Sequence, residues 1–345
     1  MTEPAAHTDM AREMAEAPVA VAAMLQRNRA LFAEIAKLLR KRAPTHLLTS
    51  ARGSSDHAAS YLKYLSEILL GLPCCSLGAS VVSIYRAQLR LKDTVLFTIS
   101  QSGQSPDILS LQADARRAGV LCIALTNQEN SPLGQGADIC LPLHAGLEKS
   151  PAATKSFIAS TVAAAQLIGM WMADRTMIGA IEHLPDILHK ARLADWRDAH
   201  ETVAQSRSLY VLGRGPSFAM AQEAALKLKE TCAIHAEAFS AAEVMHGPLE
   251  LVGKNFPAFA FCPADAAEAS TLQAIGRLRS AGAPAIVAGA TVTGDIFLPY
   301  VGSAHALLDP ISLIQSFYSL VESVARQRGR NPDQPRLLSK ETATL

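Results

Sequence analysis

HLLTSARGSS at 46–55 and LYVLGRGPS at 209–217 decide the fold of this 345-residue chain. Each opens on a short apolar run, passes through a small turn carrying glycine and a hydroxyl, and leads into residues with helical period. At an offset of 162 residues Arg52 matches Arg214, Gly53 matches Gly215 and Ser55 matches Ser217. The identities are few, but both copies stand in the same strand–turn–helix context, which is what makes them an internal repeat.

Working outward, the first copy predicts a strand at 46–49, a helix at 56–70, strands at 95–99, 120–126 and 137–143, and a long helix at 153–174. The second predicts a strand at 209–212, a helix at 218–230, strands at 258–262, 285–288 and 306–308, and a helix at 310–327. Short apolar strands alternating with helices predict an α/β protein: two tandem doubly wound parallel sheets covered on both faces, with ligands at the carboxyl ends of the strands. The expected division is a loose lead-in over 1–17 and a helix over 18–42, a first domain over 43–190, a second over 191–330 and a tail over 331–345.

Composition narrows the function. The length suits about two domains, and 49% hydrophobic residues supply a core for each. A formal charge of +1 without a long basic run gives no push toward nucleic acid or an anionic membrane. The six cysteines, at 74, 75, 122, 140, 232 and 262, show no metal-type spacing, and Cys122, Cys140 and Cys262 sit in apolar runs as small core residues. No signal-type N-terminus and no apolar run of spanning length is present, so a soluble cytoplasmic protein is expected. No metal or organic cofactor is implied.

Two windows carry chemistry. Ser100-Gln101-Ser102-Gly103-Gln104-Ser105 lies between a strand and a helix opened by Pro106-Asp107. Hydroxyls and free backbone amides at a helix N-terminus suit a phosphate, and Gly103 lets the backbone approach it. The alternative is an ordinary serine-rich turn with a serine N-cap. Without a P-loop lysine or GxGxxG, a nucleotide is not indicated. Ser54 and Ser55, at the first strand–helix junction, add hydroxyls. The second window is EAALKLKETCAIHAEAFSAAEVMHGP at 223–248. Glu223, Lys227 and Glu230 fall at i, i+4 and i+7, on one side of a helix. Charge spacing alone reads as a solvated, salt-bridged face, but His246, held by a Gly-Pro turn, adds an imidazole, and acid, amine and imidazole together suit proton transfer.

These residues, with IHAEAFSAAEV at 234–244, HGPL at 246–249 and PRLLSKE at 335–341, resemble the sugar isomerase (SIS) domain family over 13–340. The likeness is to the isomerase half of glucosamine-6-phosphate synthase, and in ARGSSDH and SQSGQSPD to stand-alone SIS-type glucosamine-6-phosphate deaminases. It implies flavodoxin-like SIS domains and a hexosamine or hexose 6-phosphate substrate. It implies phosphate binding by Ser55, Ser100, Gln101, Ser102 and Ser105 around Gly103, and a sugar contact from Ser54. Glu230 becomes the base that moves a proton between C2 and C1, Lys227 a lysine beside it, and His246 a ring-opening group reaching across a homodimer. Lys340 becomes a tail lysine that contacts the open-chain sugar and, in the synthase, can form a Schiff base. The chain shows no counterpart of the synthase's glutaminase domain, so ammonia release is expected rather than amination. Arg52 replaces a small or thiol residue, Gln104 an acidic one and Ala153 a sugar-contacting serine. The last of these leaves open isomerisation of a non-amino sugar phosphate, deamination of galactosamine 6-phosphate and deglycation of a sugar–amine adduct. A sugar-phosphate sensor is the non-enzymatic alternative. His57, His235 and Glu243, in apolar neighbourhoods, are expected as satisfied core groups.

Overall fold

The computed structural model describes residues 8–338 and 340. Two five-stranded sheets form, and every strand pair in them is parallel. The first takes β1 (His46–Ala51), β2 (Cys74–Ser76), β3 (Thr94–Ser100), β4 (Leu121–Thr126) and β5 (Ile139–Pro142) in the order β2-β1-β3-β4-β5. The second takes β6 (Ser208–Gly213), β7 (His235–Ser240), β8 (Ala258–Cys262), β9 (Ala285–Gly289) and β10 (Ile296–Leu298) in the order β10-β9-β8-β6-β7. From its other end this is the same topology. Strand order reverses between β1 and β3 and between β6 and β8, which is where doubly wound sheets bind ligands. β3, β4, β8 and β9 are buried along their whole length, as strands covered on both faces must be.

Residues 19–147 and 156–183 make one compact unit around the first sheet, and 8–18, 148–155, 184–338 and 340 make another around the second. The internal offset holds beyond the identities that revealed it. β1 and β6 correspond residue for residue, as do the helices Ser54–Leu65 and Pro216–Lys227. Each helix starts after a glycine in a conformation that side chains resist, Gly53 at φ 53°, ψ −132° and Gly215 at φ 60°, ψ −139°. Each runs into a five-residue π-helical turn, Ser66–Leu70 or Leu228–Cys232. Gly71 (φ 66°) and Ala233 (φ 49°) close these turns in the left-handed region, where Ala233 bears about 1–2 kcal/mol of strain that Gly71 avoids.

Several expected elements differ. The lead-in and first helix are two helices, Asp9–Arg27 and Arg29–Arg42, with Pro18 inside the first. Proline cannot donate to the carbonyl four residues back, and that carbonyl, Met14, accepts instead from Gln315 Nε2 at 2.9 Å. The start of the helix is ordered by Asp333, whose carboxylate accepts from the Asp9 and Met10 amides at 2.6 and 2.9 Å. Residues 306–308 are a 3-10 turn opening the helix Asp309–Gln327, because an apolar triplet before Asp-Pro reads equally as strand or helix start. The outer strand is β10. β2 and β7, both edge strands, were not anticipated. His235 and Glu243 are exposed rather than core groups, and Cys140 is half-buried. Among the described residues no helix is long and apolar enough to cross a membrane.

Candidate active site

In the unit built on the first sheet, β3 ends at the switch point and its chain turns through 101–105 into the helix Pro106–Arg117. The turn is clamped by its carbonyls. Gln101 O accepts from Asn127 N at 3.2 Å and from Thr126 Oγ1 at 3.4 Å, and Gly103 O accepts from Leu133 N at 3.2 Å. Within it, Gly103 N donates to Ser100 Oγ at 3.1 Å. Gly103 has φ +65°, and a Cβ there would collide with Ser131, whose own Cβ would lie 2.6 Å away. Among the described residues the amides of Ser102, Gln104 and Ser105 donate to nothing. Ser105 is the N-cap residue, yet its side chain makes no capping bond. Ser105 therefore forms no serine cap, and the turn amides without a partner among the described residues are of the kind that an anion can use. Ser54 and Ser55 begin the helix that follows β1, at the same switch point.

The unit built on the second sheet holds the charges. Lys227 is wholly buried, with Nζ 2.5 Å from Glu230 Oε2 and 3.5 Å from Glu223 Oε1. Glu223 is also wholly buried, and Tyr318 OH donates to its Oε1 at 3.2 Å. Both pairs suggested by the spacing exist, but as a buried cluster instead of a solvated face. The helix ends at Lys227, and Glu230 lies in the π turn, where the ladder is re-aimed. Glu230 is the accessible member, with 20% of its side chain exposed. Burial works to lower the Lys227 pKa, but Glu223 and Glu230 outweigh it and hold the ammonium above its ordinary value. Burial first, then Glu223, pushes the Tyr318 phenol well above its usual range, so it stays a hydrogen-bond donor.

Lys340 is anchored in the same unit. Its Nζ donates to Glu148 Oε2 at 2.9 Å and to Ser150 O at 2.7 Å. Glu148, wholly buried, also accepts from Thr154 N at 3.0 Å. Glu13 braces this loop by accepting from the amides of Lys149 and Ser150. Burial, opposed by the Lys149 amide, holds the Glu13 carboxyl above its usual range. Glu148 is near enough for Lys227 and Tyr318 to feel its charge. The Lys340 amine is thus held by a buried carboxylate and a backbone carbonyl. Ser339 and Glu341, within the quoted tail motif, lie outside the described residues.

His246 is not brought into this cluster. It stands exposed on the turn before Gly247, its amide donating to Glu243 O at 2.9 Å. Its ring makes no hydrogen bond or ion pair among the described residues. Sequence reasoning missed Glu148, Glu13 and Tyr318. Local pattern offers no sign of the first two, and Tyr318 does not stand out in a helix that also carries Ser312, Ser316, Ser319 and Ser323.

The two copies of the scaffold separate architecture from chemistry. At the positions of Glu223, Lys227 and Glu230 the first copy has Tyr61, Leu65 and Ile68 on an equivalent helix and π turn. The charges are therefore not what the scaffold needs to form. Conversely, Ser100–Ser105 correspond to 262–267, where Ala264 N is spent on Tyr300 OH and Ala267 N on Asp265 Oδ1. Unspent serine donors belong to one copy and the buried acid–amine cluster to the other.

The SIS domain pattern matches residues 38–170 and 202–293. Among curated proteins, glutamine–fructose-6-phosphate aminotransferase (isomerizing) of Aeropyrum pernix is 35% identical over an alignment of 312 residues that covers 85% of this chain and 50% of that protein. The chain thus spans about half the length of the curated relatives it matches. Among solved structures, a Silicibacter pomeroyi protein provisionally assigned as a phosphosugar isomerase superposes with a TM-score of 0.91 at 45% identity, covering 94% of this chain and 100% of its own. The C-terminal domain of glucosamine-fructose-6-phosphate aminotransferase from Francisella tularensis superposes with a TM-score of 0.85 at 26% identity, covering 97% and 100%.

Proposed function

The chain belongs to the SIS-domain family, and from that premise we propose that it converts glucosamine 6-phosphate and water into fructose 6-phosphate and ammonia. The observation that carries this reading is the placing of unspent serine donors on one copy of the scaffold and a buried acid–amine cluster on the other, where the scaffold itself demands neither. The likeness of ARGSSDH and SQSGQSPD to stand-alone deaminases supports this reaction within the family.

In this reading Ser100, Gln101, Ser102 and Ser105, with Ser55 and the turn amides, hold the phosphate, and Ser54 holds a sugar hydroxyl. His246 comes from a second copy of the chain and moves the proton that opens the ring. Glu230 takes the C2 proton and returns it to C1, which turns the amine-bearing carbon into an imine. Water adds to that carbon, the C–N bond breaks and ammonia leaves. Lys227 and Lys340 stabilise the oxyanion that develops as the C2 proton departs.

A second reading, aldose–ketose isomerisation of a non-amino sugar phosphate, uses the same proton relay. It is favoured by the phosphosugar-isomerase assignment of the Silicibacter relative and by Ala153, where the family has a sugar-contacting serine. A coupled ammonia assay with glucosamine 6-phosphate and galactosamine 6-phosphate, run beside a ketose assay with glucose 6-phosphate, decides. Ammonia from glucosamine 6-phosphate is the expected result. Ketose formation without ammonia from either amine substrate would replace the deaminase with the isomerase, and tight binding without turnover would leave a sensor.

A further inference from the structure

The geometry points to Arg52 as a specificity-determining residue of the phosphate grip, a charged donor that selects the phosphorylated sugar. This rests on the reading of Ser100–Ser105 as that grip. Arg52 directly follows β1 at the switch point, and its guanidinium is ion-paired to Asp107, the second residue of the helix that the serine turn opens. A second bond, from Nη1 to Ala51 O at 3.3 Å, steadies it. Asp107 is 2% exposed while Arg52 is 47% exposed. The carboxylate thus takes Nη2 of the guanidinium, while about half of the side chain stays exposed. Arginine has five N–H donors in a rigid fork, so a pinned guanidinium retains donors in the geometry that a phosphate oxygen accepts.

The internal repeat provides a comparison. Arg214 occupies the equivalent place after β6, but the residue corresponding to Asp107 is Ala269, and Arg214 makes no ion pair among the described residues. Only the arginine beside the unspent serine donors is held by a buried acid. Asp56 also feels Arg52, although burial acts first and holds the Asp56 carboxyl above its usual range.

The test reads binding without turnover. The full chain is titrated calorimetrically with inorganic phosphate and with glucosamine 6-phosphate. Arg52→Ala is expected to raise Kd for both by about ten- to a hundredfold, the weight of one hydrogen bond to a charged group. Since this variant leaves Asp107 buried and unpaired, Arg52→Ala/Asp107→Asn carries the same test without an orphan charge. Binding that stays weak in the double variant supports direct contact with the phosphate. Recovery to wild-type affinity overturns it, because Arg52 would then merely neutralise Asp107. An unchanged Kd in either variant overturns it as well. Ammonia release is measured separately. A wild-type chain that binds the sugar phosphate without releasing ammonia discards the deaminase reading and leaves Arg52 to be judged on Kd, whereas one that binds neither probe overturns both.

Discussion

Lys227 Nζ lies 2.5 Å from Glu230 Oε2, with the lysine wholly buried and the glutamate partly open to solvent. The pair is thus asymmetric: one end is locked by the core and the other is presented. A carboxylate so presented can exchange protons with a ligand while its partner cation stays fixed, which is the arrangement general-base chemistry needs.

Glu230→Gln preserves the shape of the side chain and removes the base. Ammonia release should fall by about 10²–10⁴-fold, the usual weight of general-base catalysis, with the urea midpoint near that of the wild type. A rate within about tenfold of the wild type would remove Glu230 from the mechanism.

Lys227→Met takes away the cation facing two carboxylates, one of them, Glu223, with no solvent to turn to. Removing one partner of a buried pair costs about 3–5 kcal/mol, so the variant should unfold at markedly lower urea. The double variant Glu223→Gln/Lys227→Met should recover part of the loss, since the uncompensated charge is gone.

The same lysine sets a pH dependence. Its folded pKa stands above the ordinary 10.5, so the stability it contributes is fully present below pH 10.5 and is lost as pH rises through the folded value. The stability gap between wild type and Lys227→Met should stay flat from neutrality to about pH 10 and close only beyond it. Urea titrations at a series of alkaline pH values check this, and a gap that closes near pH 8 would contradict the charged, carboxylate-held lysine.

Gly103→Ala puts a Cβ at φ +65° and against Ser131. Left-handed backbone costs a side chain about 1–3 kcal/mol, and the collision displaces the turn. KM for the sugar phosphate should rise much more than kcat falls. Equal effects on both would show that the turn does more than hold the phosphate.

The His246 ring has no partner among the described residues, and the reading assigns it to the site of a second copy. Glu230→Gln and His246→Asn should each be nearly inactive alone. Unfolded together and refolded as a mixture, they should regain about a quarter of wild-type activity, because half of the twofold-symmetric dimers are mixed and one of their two sites is intact. No recovery would place His246 in its own chain's chemistry or outside it.

The doubled scaffold was legible because it is local. Two apolar runs, two Gly–Ser turns and their shared offset can be read within windows of about ten residues, and the helices and π turns fall at that same offset. The serine turn was legible for the same reason, since Gly103 and Pro106-Asp107 announce it. The charge cluster was only half legible. The spacing of Glu223, Lys227 and Glu230 showed that they share a side, but not whether water or protein covers it. His235 and Glu243 erred in the opposite sense, with apolar neighbours in sequence and solvent around them in the fold.

Sequence alone therefore settled the alternation of strands and helices, the family, and which residue types stand at the ends of the strands, because periodicity and turn chemistry act between near neighbours. Tertiary structure alone decided that Lys340 meets Glu148 across 192 residues, that Tyr318 reaches Glu223, and that Lys227 is sealed from water. Desolvation depends on what packs over a group, and those neighbours come from segments that no local pattern links.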